Sequence, residues 1–220
     1  MSIAFDESPT ATDVASGFSE RGIVLEGVGW ATYERLLKGI GERYVFVTYD
    51  EGTLEIEISP GRKHEGGVDL LVGLMHSIRL LRGVKFEGGG STTHKRSDLK
   101  KGIEAATCYW IANEEKMRGV ADLDLSKHPA PDLVIEVDIW SSSLDRIAMF
   151  GTLGVPEIWH VEKGRVSILH LNEQGAYDAK PASLSFPFVT ASALTKAVNP
   201  EATVGESAAL DALLNDVGLR

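Results

Sequence analysis

Residues 131–139 read Pro131-Asp132-Leu133-Val134-Ile135-Glu136-Val137-Asp138-Ile139, entered through Pro129-Ala130-Pro131. The prolines force an extended approach, and the β-branched run behind them favours a pleated strand. Strand side chains alternate, so Asp132, Val134, Glu136 and Asp138 share one face while Leu133, Ile135, Val137 and Ile139 share the other. A central strand with three carboxylates on one face is costly unless that face is wet or binds a cation. Spacing sorts the three acids. At about 3.3 Å per residue, Asp132 and Glu136 lie about 13 Å apart, too far to share one Mg²⁺. Glu136 and Asp138 are about 7 Å apart along the strand, which is feasible.

Downstream, Ser141-Ser142-Ser143 offers a helix cap, and the spacing predicts a helix over 144–153 that stops at Gly154. Two strands follow over 156–161 and 166–171, joined at Lys163-Gly164. Upstream, Trp30, Tyr33, Leu36 and Leu37 recur at helical spacing. Strands over 44–50 and 53–59 are joined through Asp50-Glu51-Gly52, a hairpin sequence. Val68, Leu71, Val72, Met75, Ile78 and Leu81 form the apolar stripe of a helix over 64–82. Short strands are expected over 84–87, 91–94 and 107–112, then a short helix or turn at 114–119. The tail carries a weak strand and helices near 191–197 and 207–215. Helix, strands, helix, central strand, helix and strand describe an α/β fold with a mixed central β-sheet flanked by helices. Three segments are expected: a flexible acidic lead-in over 1–25, a main domain over 26–175, and a C-terminal extension with short helices over 176–220.

The chain has 220 residues, 43% of them hydrophobic, which suffices for one substantial core. Its one cysteine, Cys108, excludes an intrachain disulfide and a cysteine-rich metal site, and its apolar surroundings predict a buried, inert thiol. No apolar stretch approaches 18 residues, and the N-terminus lacks the pattern of a secretory signal. The expectation is a cytoplasmic protein without a membrane span. The formal charge of −10 opposes indiscriminate binding to phosphate backbones. Residues 79–101 are nevertheless net +5, which leaves −15 for the remainder. That window is either a solvated basic surface or a phosphate-facing strip.

The six histidines show no HExxH or comparable spacing for zinc. Gly88-Gly89-Gly90 lacks the Lys and Ser/Thr of a phosphate-binding loop, and no serine occupies a Gly-x-Ser-x-Gly elbow.

One resemblance gathers these features. The run Pro131 to Arg146, followed by Leu153-Gly154-Val155-Pro156-Glu157-Ile158-Trp159, is similar to the signature of the Uma-type restriction endonucleases of the PD-(D/E)XK nuclease superfamily. Ser59-Pro60 with His64-Glu65, Gly90-Ser91-Thr92-Thr93, and Cys108-Tyr109-Trp110-Ile111-Ala112-Asn113-Glu114 agree in order, so the similarity spans about residues 28 to 170. It implies a restriction-endonuclease-like core and a metal-dependent DNA endonuclease, with Mg²⁺ or Mn²⁺ as cofactor and double-stranded DNA as partner. Glu136 is then the acid of the (D/E)XK element and Glu65 the helix carboxylate. Glu104, Asp132 and Asp138 are the candidates for a third metal ligand. Arg146 stands where the family carries a Lys, and it would contact the scissile phosphate. Lys95, Arg96, Lys100 and Lys101 would hold the DNA backbone.

Two departures point to impaired catalysis. A guanidinium stays protonated and binds as a fork, so it replaces a water-positioning ammonium poorly. Ala105-Ala106 stands where relatives carry Pro-Asp, so a metal carboxylate is missing. The alternative function is a catalytically inactive nuclease-fold module that binds nucleic acid or protein. A homodimer is expected in either case, with Phe186-Pro187-Phe188-Val189 and the last helix as its surface.

Overall fold

The computed structural model describes residues 17–19, 22–41, 45–58, 62–138, 142, 144–199 and 205–220, with side chains from 67 onward in the first long helix and up to 137 in the central strand. Two short strands, β1 (Gly17–Ser19) and β2 (Gly22–Leu25), lead into α1 (Trp30–Ile40). β3 (Val45–Asp50) and β4 (Thr53–Ile58) form the expected hairpin. Asp50 pairs with Thr53 across Glu51 and Gly52, at φ 46° and 121°, a conformation that glycine makes cheap. Next come α2 (Arg62–Arg82), β5 (Glu87–Gly88), β6 (Thr93–Arg96), β7 (Lys101–Glu104), β8 (Thr107–Trp110) and α3 (Glu114–Met117). Then follow β9 (Leu133–Asp138), α4 (Arg146–Thr152), β10 (Glu157–Glu162) and β11 (Arg165–Leu171). β12 (Tyr177–Lys180), α5 (Ala191–Val198) and α6 (Glu206–Asp216) complete the chain.

The strands form two six-stranded sheets. The first, in the order β1-β2-β4-β3-β7-β6, is antiparallel throughout. The second, β12-β11-β10-β9-β8-β5, is mixed: β9 and β10 run parallel, joined through α4, and every other pair is antiparallel. The expected mixed sheet is therefore this second one.

The alternation of β9 decides how the layers stack. Leu133 and Ile135 face a core made with Leu71, Leu74, Met75 and Ile78 of α2, Leu194 of α5 and Leu213 of α6. Val134 faces the opposite way, into a second core with Ile158, Cys108, Met149, Phe150 and Leu153. A smaller cluster of Tyr33, Val47, Tyr49 and Leu54 seats α1 on the first sheet.

Several expectations require correction. Gly17–Ser19 and Gly22–Leu25 are strands paired with each other, and β2 continues onto β4, so the end of the lead-in is part of the first sheet. Residues 84–86 are not strand, and Phe86 instead buries its ring. The cap of α4 is Asp145, whose side chain accepts the Ala148 N–H at 2.9 Å. Ser142 is drawn away to the β3–β4 hairpin, where its hydroxyl donates to Glu55 Oε2. The segments expected as a dimer surface are largely internal. Phe186 and Val189 are buried in the first core, and α6 contributes Ala209, Leu213 and Leu214 to it. Among the described residues, no helix is long and apolar enough to cross a membrane.

Candidate active site

Strand alternation brings one acidic face of each sheet into the same layer. On β4, Leu54 and Ile56 join the cluster under α1, so Glu55 and Glu57 face the other way. Thr48 of β3 is the register partner of Glu55. On β9, Glu136 follows Val134 on the face toward α4. Thr48, Glu55 and Glu136 are nearly inaccessible to solvent.

Arg146, the first residue of α4, fills the space between them and is 8% exposed. Its Nε donates to Glu136 Oε1 at 2.7 Å, and Nη2 approaches the same oxygen at 2.5 Å. Nη1 donates to Thr48 Oγ1 at 2.6 Å and lies 4.0 Å from Glu57 Oε2. Nη2 also donates to the Glu104 carbonyl at 2.6 Å. The guanidinium is thus surrounded by oxygen atoms from both sheets. Burial of this kind is tolerable only when charge and hydrogen bonds are matched.

Two of the three candidate third ligands, Glu104 and Asp132, do not join this group. The Glu104 carboxylate turns away, accepting the Val47 N–H at 3.2 Å and the Thr93 hydroxyl at 2.7 Å. Burial raises its pKa above the usual carboxylate range, against the pull of those two donors and of Arg146. Asp132 sits just before β9, and its Oδ2 accepts the Ile111 and Ala112 N–H groups at 2.6 and 2.9 Å. Glu65 lies in the first turn of α2 and Asp138 ends β9; their side chains lie outside the described residues.

The register explains what is missing. Thr107 pairs with Ile135 and Cys108 with Val134, and that register, continued one step past the end of β8, carries Ala106 toward Glu136. An Asp at 106 would stand beside Glu136; the methyl group there offers no ligand. Among the described residues, no group of three His, Cys, Asp or Glu side chains is arranged to hold a metal ion. The described donor set therefore does not fit Mg²⁺, because Glu136 Oε1 already carries a guanidinium fork and the adjacent position has no carboxylate.

This architecture has relatives. The sequence model of the Uma2 family, described as "Putative restriction endonuclease", matches residues 30–201. The chain belongs to the Uma2 family. No curated protein matches it. A crystal structure described as a putative nuclease belonging to DUF820, from Anabaena variabilis ATCC 29413, shares its fold with a TM-score of 0.51 at 13% identity. The match covers 85% of this chain and 99% of that one. The restriction-endonuclease-like fold read from the 131–159 signature is thus the fold observed.

In this Uma2-family chain the basic window is mostly engaged internally. Lys95 pairs with Asp122 at 3.1 Å, and Arg96 with Asp98 at 2.6 Å. Lys101 pairs with Asp50 and, at 3.3 Å, with Glu51. Lys100 lies 5.3 Å from the centre of the Trp30 ring. Sequence reasoning missed Thr48, Glu55 and Glu57. Their signal was the Thr53-Leu54-Glu55-Ile56-Glu57-Ile58 alternation, which places two acids on one face as in 132–138. His160 was missed as well. It is the register neighbour of Glu136 on the parallel strand β10, a pairing that only the topology reveals.

Proposed function

We propose that this chain is a restriction-endonuclease-like nuclease whose reaction class is metal-dependent hydrolysis of DNA phosphodiesters, and whose centre is impaired by Ala106 and Arg146. Family membership and fold support the class. One observation carries the impairment: the Arg146 fork on Glu136, toward which the β8 register, continued one step, carries Ala106. Glu136 is the residue around which such a centre would be built, with Glu65 and Asp138 as the remaining candidates for partners. Glu104 and Asp132 have other hydrogen-bonding duties. Arg146 could still meet a phosphate, but only by giving up buried oxygen contacts.

A second reading is favoured by the charge distribution. With −10 overall and Lys95, Arg96 and Lys101 paired to acids, the described part of the basic window offers little free cation to a duplex. A nuclease-fold module acting through binding, as a homodimer or with another protein, is then the function.

Incubation of supercoiled and linear double-stranded DNA with Mg²⁺ or Mn²⁺ separates the two. The natural chain should cleave no faster than Glu136→Gln, while Ala106→Asp combined with Arg146→Lys should cleave at least about tenfold faster, the scale of one restored charge interaction worth 1.4 kcal/mol. Cleavage by the natural chain that Glu136→Gln abolishes would reject the impairment. No gain in a folded double variant would favour the binding module.

A further inference from the structure

We propose that Arg146 is a built-in cation that stands in for a divalent metal and clamps the two sheets together. The proposal rests on the reading of the centre as impaired, and it names what took the vacant role. Its first support is the donor set. The guanidinium meets Glu136 Oε1, Thr48 Oγ1 and the Glu104 carbonyl within 2.7 Å, with Glu57 Oε2 at 4.0 Å. Carboxylate, hydroxyl and carbonyl oxygens are the ligands a hard divalent cation takes. Here a side chain takes them.

The second support is where the oxygens come from. Thr48, Glu57 and Glu104 belong to β3, β4 and β7 of the first sheet, and Glu136 belongs to β9 of the second. The Ser142–Glu55 hydrogen bond ties the α4 approach to β4 at the same level. Removing the guanidinium would strip Glu136 and Glu57, on opposite sheets, of the cation they share. That is a strongly unfavourable arrangement at low exposure. A guanidinium also keeps its charge across the accessible pH range, so the cation of the clamp is present without a metal.

Thermal unfolding of the full chain, in EDTA and in millimolar Mn²⁺ or Mg²⁺, tests this. The natural chain should show the same midpoint in all three. Arg146→Ala should unfold about 10 °C lower in EDTA, the scale of breaking a buried pair in a chain of this size. It should then recover about 3 °C or more in Mn²⁺, as ligand linkage requires for a metal at roughly ten times its dissociation constant. That recovery should disappear in Arg146→Ala/Glu136→Gln. If Arg146→Ala does not fold, Arg146→Lys reaches fewer oxygens, and its midpoint must rise in Mn²⁺. A natural chain stabilised by Mn²⁺, or a folded position-146 variant indifferent to it, overturns the clamp. DNA cleavage by a natural chain with unchanged midpoints would instead overturn the impaired centre alone.

Discussion

Asp132, just before β9, and Glu136, within it, stand four residues apart, and their surroundings assign them different work. Glu136 is held among side chains from both sheets, while Asp132 accepts two backbone N–H groups where the chain leaves β8. Those N–H groups belong to Ile111 and Ala112, just beyond the strand, so the carboxylate completes hydrogen bonding that the ladder does not supply. Hydrogen bonds to a charged acceptor are worth about 1.5–3 kcal/mol, and an abandoned donor costs a comparable amount. Asp132→Ala should therefore lower stability by about 2 kcal/mol in urea unfolding. It should leave any Mg²⁺ or Mn²⁺ heat unchanged in calorimetry, whereas Glu136→Ala should abolish such a heat if one exists. A heat lost in Asp132→Ala alone would make Asp132 a ligand.

The α4 turn shows how a short element can set a site. Its first residue is Arg146, so the direction of the guanidinium depends on how the helix begins. Asp145 caps it by accepting the Ala148 N–H, and the acid also suits the positive end of the helix. Asp145→Ala should cost about 1 kcal/mol, and Asp145→Ser should recover most of it, both read from urea midpoints. Recovery by Asn or Ser distinguishes capping from a lost charge effect. The sequence located this helix but placed its cap in the serine run just before Asp145. Serine and aspartate both cap helices, and the competing bond from Ser142 to Glu55 spans 87 positions, beyond the reach of a local pattern. The central strand was legible because its two faces differ chemically, and the 50–53 hairpin because Glu51-Gly52 suits a tight turn. β7 was not legible: Lys101-Gly102-Ile103-Glu104 has no clean alternation, and its pairing with β3 is long-range. The same limit applied to the site. Glu136 and Arg146 stood out in one segment, but Thr48 and Glu57 reach them only through the packing of one sheet on the other.

At the scale of the whole molecule, acidity and burial combine to set the response to pH. His94 on β6 is completely buried at 6.2 Å from the Trp110 ring and 6.3 Å from the Phe150 ring, between centroids. Neither of its ring nitrogens makes a hydrogen bond of full geometry among the described residues. Burial pushes its pKa down to about 4, and the backbone of Ile103, its register partner, offsets only part of that. The unfolded chain binds this proton near pH 6.5 and the folded chain only near pH 4, so between those values the unfolded state carries more protons. The contribution of His94 is thus complete above about pH 6.5 and is lost as pH falls toward 4. At about 1.4 kcal/mol per unit, roughly 3 kcal/mol disappears across the window. Glu104, held above its usual range, works in the opposite direction, since its stabilisation is present at low pH and fades as pH rises. Replacing His94 with Phe isolates the histidine from that carboxylate and from the net charge, because both remain in the variant. Urea unfolding at pH 7.5, 6, 5 and 4.5 should show the natural chain losing about 2–3 kcal/mol more than His94→Phe. Parallel curves would show that His94 does not carry the acid sensitivity.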